Sequence, residues 1–118
     1  MVSMYSKNYG AMRDNLNKLE GIQKKNVIPI NLNESEAHIT QKFKVALEVR
    51  KLGENFIAEA KFKHCLGRAD LYLIDSDIVI EIIDSEKVLK PSKELKYPVK
   101  KIVSILAGDV LRDIRKLL

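Results

Sequence analysis

Thiol chemistry is almost missing from this chain. Its single cysteine, Cys65, excludes an intrachain disulfide, and no second cysteine stands at the spacing of a structural zinc site. The neighbouring pair His64–Cys65 falls in an expected turn, where adjacent side chains point apart, so zinc is not expected there either. Long apolar runs are equally scarce. None approaches the roughly 18 residues of a membrane span, and the N-terminus lacks the basic, apolar and small-residue order of a signal peptide. A soluble, intracellular (cytoplasmic) protein is the expectation. Repeats and low-complexity tracts are absent as well, and 118 residues suit one domain, 1–118, with a core small enough that a partner subunit would help.

Positive charge, by contrast, is plentiful. The 21 Lys+Arg against 16 Asp+Glu give a net charge of +5, and the excess is concentrated. The segment "KVLKPSKELKYPVKK" at 87–101 holds Lys87, Lys90, Lys93, Lys96, Lys100 and Lys101 against one glutamate. Such a stretch suits a polyanion, with nucleic acid the leading expectation. Plain solvation of a surface is the competing reading, and heavy Lys, Glu and Ile use also fits a protein of a hot environment.

Along the chain, residues 1–33 read as a weakly structured N-terminal arm. Met12, Leu16 and Leu19 have helical spacing ahead of Gly21, and Pro29 disfavours helix at Ile28. This arm is a candidate to pack on a sister subunit. The next segment carries the strongest helix signal: Asn33 or Ser35 to cap, acids in the first turn, and Gly53 to stop it. Ile39, Phe43, Ala46 and Leu47 form its apolar stripe, which aims Glu36 at the edge of the core and Glu34 at solvent. After Gly53 the period changes. "NFIAEAKFKH", "RADLYLID" and "DIVIEIID" read as three strands joined by hairpins, and "VKKIVSIL" as a fourth, preceded by a short helix at 92–96. Val110, Leu111, Ile114 and Leu117 or Leu118 suggest a closing amphipathic helix. The fold class expected is α/β, a small mixed sheet flanked by helices.

Two acids stand out within the apolar strands. Asp70 opens one run and Glu81 interrupts the next, and a charged group there is costly unless paired, bound or solvated. A four-residue turn at His64–Gly67 sets Lys61 opposite Asp70, and a turn at Ser76–Asp77 sets Tyr72 opposite Glu81. Glu59, Lys61, Asp70, Tyr72 and Glu81 then share one face. Of these, Asp70 and Glu81 with Glu36 from the helix make an oxygen-rich cluster of the kind that Mg²⁺ or Mn²⁺ selects. The same face is equally readable as the polar, solvated side of an antiparallel sheet.

The "ESEAH" helix start, "GRAD" and "IVIEIIDSE" together resemble the PD-(D/E)xK, or restriction-endonuclease-like, nuclease superfamily, most of all its short members from archaea and their viruses. The resemblance covers about residues 34–86. It implies an α-β-β-β-α-β core, Mg²⁺-dependent (or Mn²⁺-dependent) hydrolysis of DNA, Asp70 and Glu81 as the metal-binding acids, and Glu36 as an accessory acid. This chain departs from the family at Ile83, where the motif wants lysine two residues after the acid. Active-site lysines of the superfamily are known to migrate, which makes Lys61 the first candidate and Lys42 the second.

His38 reads as a packing or surface residue rather than a base, and Arg68 as a phosphate contact beside the site. Asp84, Ser85 and Glu86 suit either a helix cap or outer support for a metal. The resemblance implies a DNA nuclease, and the small footprint of a 13.5 kDa chain on a duplex makes a homodimer with two sites the expected assembly. Two rivals stay open: a non-catalytic nucleic-acid-binding module with this fold, and a regulatory interaction protein whose acidic face is ordinary surface.

Overall fold

Phe, Ile, Val and Leu make up most of the four segments that become strands, and β1 and β3 end where a polar residue, Lys61 or Asp84, follows. In the computed structural model, which describes residues 10–84, 96–110 and 113–118, β1 (Phe56–Ala60), β2 (Ala69–Leu73), β3 (Ile78–Ile83) and β4 (Lys101–Leu106) form one sheet in the order β1-β2-β3-β4. The first three are antiparallel neighbours and β4 runs parallel to β3, so the sheet is mixed. A helical stretch at residues 10–16 (α1) and the helix Glu36–Lys51 (α2) complete the α/β architecture. The expected short helix at 92–96 lies almost wholly outside the described residues.

α2 forms for local reasons. Ser35 has an extended backbone and its hydroxyl accepts from His38 N, satisfying one amide that the first turn leaves open. At the other end Gly53, at φ 83°, donates to Arg50 O while Glu54 donates to Val49 O. That is a Schellman ending, which needs a left-handed residue where glycine stands.

The helix buries a different stripe from the one expected. Val45, Ala46 and Val49 press on Leu71, Leu73, Ile80 and Ile82, whereas Phe43 and Leu47 stay 58% and 48% exposed. Small and β-branched side chains let the helix approach the sheet closely, and the bulkier Phe and Leu are turned outward. Glu36 is turned outward with them, and Glu34 inward, reversing the expected assignment.

The second face of the sheet is covered too. Leu19, Phe62, Tyr97 and Val99 close over Ile57, Tyr72 and Val79, and Phe62 stacks against Tyr72 and Tyr97 at centroid separations of 4.8 and 5.0 Å. Tyr72, expected on a solvated face, is fully buried, its hydroxyl donating to Asp77. The arm packs on its own domain: single bridges join Leu19 to Phe62 and Lys25 to Ile57, covering the β1 edge. At the C-terminus the expected amphipathic helix is replaced, among the described residues, by a 3₁₀ turn at Ile114–Lys116 that buries Ile114.

Both hairpins differ from the expected register by two residues. Ala58 faces Leu71 and Ala60 faces Ala69, so Lys61 lies beyond Asp70 in a longer connection. The physical reason is the length of the connection, residues 61–68, because the register is unbroken from Phe56↔Leu73 to Ala60↔Ala69. Glu59, at φ 51°, changes only the facing: Ile57, then Ala60 and Phe62, enter the same core. In the second hairpin Leu73 faces Ile78 and Leu71 faces Ile80 across a four-residue turn containing Asp77 at φ 60°. Tyr72 therefore faces Val79, and one step along the same register Asp70 comes opposite Glu81.

Candidate acidic site

His38 and Lys42, four residues apart, line one side of the α2 N-terminal half, and Glu34, in the bend just before the Ser35 cap, lies against both of them. That side looks onto the start of β2. There His38 Nε2 lies 3.1 Å from Asp70 Oδ1 and 3.8 Å from Glu34 Oε2. Lys42 Nζ donates to both Glu34 oxygens, at 3.0 and 3.1 Å, and stands 3.8 Å from Asp70 Oδ1. Only 1% of the Lys42 side chain is exposed. An ammonium that deep persists only beside compensating anions, and Glu34 and Asp70 supply them.

Asp70 is fixed from its other side by Ile82 N, which donates to Oδ2 at 2.8 Å. Glu81 lies against it. Burial, reinforced by the hydrogen bond to Asp70 and by the charge of that carboxylate, pushes Glu81 up to about 7, while the Lys96 charge and Tyr97 pull weakly the other way. The Tyr97 hydroxyl, buried beside Glu81, is raised above its ordinary range by burial and by that same acid, and it finds no partner in hydrogen-bonding geometry among the described residues. Asp84 closes the outer rim, accepting from Ser35 Oγ at 3.4 Å and lying 3.8 Å from His38 Nδ1.

Of the residues expected at the site, Asp70 and Glu81 meet directly. Glu36 does not join them, because it projects from the exposed side of α2 and Glu34 takes its place. Lys61 does not reach Asp70 either: its ammonium donates to Cys65 O within the β1–β2 connection. Lys42 stands where a lysine was sought. His38, read as a surface or packing residue, touches Asp70 instead. The signal for this helix trio was the four-residue spacing of Glu34, His38 and Lys42, with Lys42 also at core spacing from Val45 and Val49. Arg68 is exposed and donates to Glu59 O at 3.1 Å. Lys96 is exposed with its ammonium 5.2 Å from the Tyr97 ring centroid, on the Glu81 side. Lys87, Lys90 and Lys93 lie outside the described residues.

Among known proteins, the chain matches no protein family, no curated sequence and no solved structure. Among the described residues no helix is long and apolar enough to cross a membrane.

Among the described residues, no group of three or more His, Cys, Asp or Glu side chains is arranged to hold a metal ion. The donor chemistry nevertheless suits one kind of ion. Two adjacent hard carboxylates, one of them driven toward its protonated form by burial and then by the other, are of the donor type that Mg²⁺ takes, where one or two carboxylates bind and water fills the remaining positions. They do not match a soft or fully caged metal.

Proposed function

We propose that this chain is a metal-dependent DNA nuclease with a restriction-endonuclease-like core, hydrolysing phosphodiesters as a homodimer. The observation that carries the reading is the convergence of Asp70 and Glu81 from adjacent strands with the buried Lys42 ammonium 3.8 Å from Asp70. The sequence of elements α2, β1, β2, β3 and β4 in a mixed sheet agrees with it. So do a net charge of +5 and the exposed Arg68 and Lys96 near the acids.

In this reading Asp70 and Glu81 hold Mg²⁺ or Mn²⁺, which when bound supplies Lewis-acid polarisation of the phosphodiester and a lowered pKa for the attacking water. The protein groups do the rest. Glu34 locks the Lys42 side chain, so that its ammonium is pre-aimed at the place where negative charge develops, and burial strengthens that field. His38, within hydrogen-bond distance of Asp70, orients that carboxylate from the helix side.

Two observations favour a second reading, a nucleic-acid-binding module that does not cut: Ile83 occupies the position of the superfamily's lysine, and among the described residues no group of three His, Cys, Asp or Glu side chains is arranged to hold a metal. A single experiment separates the two. Branched, single-stranded and duplex DNAs are incubated with the protein in Mg²⁺, Mn²⁺ or EDTA, with Asp70→Ala as control. Cleavage that needs metal and vanishes in Asp70→Ala is expected. Binding with no cleavage in either metal selects the module, and neither binding nor cleavage overturns both.

A further inference from the structure

We propose that a second copy of this chain docks on the outer face of α2, with the two helices antiparallel and a two-fold axis at Phe43. This specifies the contact of the homodimer proposed above and rests on no catalytic part of that reading, so a cleavage assay and an association assay test the two separately.

The face is apolar, open and bordered by complementary charge. Phe43 and Leu47 are 58% and 48% exposed, and Ile30 of the arm is 75% exposed beside them. Ile28, Ile30, Ile39, Phe43 and Phe56 line a groove of about 740 Å³ between the arm and the helix. Full burial of each such side chain is worth about 1.5–3 kcal/mol. Leaving several of them half in water is a cost that a covering partner recovers.

The residue pattern specifies the partner. At 100° per residue, Glu36, Ile39, Phe43, Leu47 and Arg50 fall within about 40° of the Phe43 direction. They are also symmetric about Phe43, which sits at the middle of the sixteen-residue helix. An antiparallel copy centred there sets Phe43 against Phe43, Ile39 against Leu47, and Glu36 against Arg50, the last two contacts each occurring twice. This is the self-complementarity that a two-fold interface requires. Glu36 is exposed and makes no ion pair among the described residues, and Arg50 uses one guanidinium nitrogen on Glu54 O and Asn55 Oδ1, leaving the others for a carboxylate. An unrelated apolar partner would not account for opposite charges equidistant from Phe43.

The test is sedimentation equilibrium of the full chain with charge-swapped variants. The parent is expected to be a dimer at micromolar concentration. Phe43→Glu should weaken it about thirtyfold or more, as loss of a central aromatic anchor does. Glu36→Arg and Arg50→Glu alone should each weaken association, and the double variant Glu36→Arg, Arg50→Glu should restore it, which a merely misfolded variant cannot do. Oxidation of Phe43→Cys in a Cys65→Ser background should give a disulfide-linked dimer. A parent that stays monomeric at about 100 μM overturns the proposal and leaves the groove to another partner. A dimer indifferent to Phe43→Glu and to both charge reversals overturns it equally, because the contact would then lie elsewhere.

Discussion

Glu81 and Lys42 carry opposite electrostatic burdens at one site, and each yields a prediction. In the unfolded chain Glu81 titrates near 4.5, whereas in the fold burial and Asp70 raise it to about 7. The folded state therefore binds the extra proton. The stabilisation this gives is complete below about pH 4.5 and is lost as pH rises through 7. In metal-free buffer, thermal scans are expected to show Tm falling across that window, with Glu81→Gln removing the trend. A parent Tm that is level from pH 4.5 to 7.5 would mean that the two carboxyls do not confront one another. Lys42 is buried against Glu34 and 3.8 Å from Asp70, so Lys42→Met preserves the packing volume and deletes the charge. If the chain cuts DNA as proposed, single-turnover cleavage should slow by on the order of a hundredfold. Lys61→Met should change it little, since that ammonium is spent on Cys65 O.

At the scale of elements, α2 is the part that assembles the site, and its N-terminal cap is the lever. Ser35 accepts from His38 N and donates to Asp84, joining the helix start to the end of β3. Ser35→Ala is expected to cost about 1 kcal/mol of stability, seen as a Tm lower by a few degrees, with Ser35→Thr retaining most of it. An unchanged Tm in Ser35→Ala would show that solvent caps the helix equally well.

The strands, the helix and the pair Asp70 and Glu81 were readable from composition and period, because β-rich runs and turn residues act locally. Register was not. Nothing in "FIAEAKF" announces that Glu59 adopts a positive φ, and nothing in "KFKHCLGR" announces a connection long enough to carry Lys61 past Asp70. The buried face of α2 is hidden for a different reason. Phe and Leu outweigh Val and Ala in an apolar stripe, and lysine counts as polar, so the sequence points away from the stripe that includes the buried Lys42. The fold instead favoured close approach by Val45, Ala46 and Val49, and stabilised the lysine with two acids.

For the whole molecule, charge and assembly combine in one measurable quantity. The chain carries +5 overall, and its lysine-rich segment 87–101 enters the described structure at Lys96, beside the Glu81 side of the acidic site. If these lysines neutralise phosphates, binding releases counterions and log K falls linearly with log salt. Each duplex phosphate contact then adds about 0.9 to the slope, so Lys93→Gln with Lys96→Gln should flatten it by about 1.8 if one protomer meets the DNA. A two-fold dimer that lays both sites on the same duplex removes twice as many contacts, and the slope should flatten by about 3.6. The same double variant in a Phe43→Glu background should return the smaller value, because that substitution separates the protomers. Fluorescence anisotropy over a range of KCl concentrations reads all three slopes. An affinity that does not vary with salt would exclude phosphate as the ligand of the basic segment, whatever the acids do.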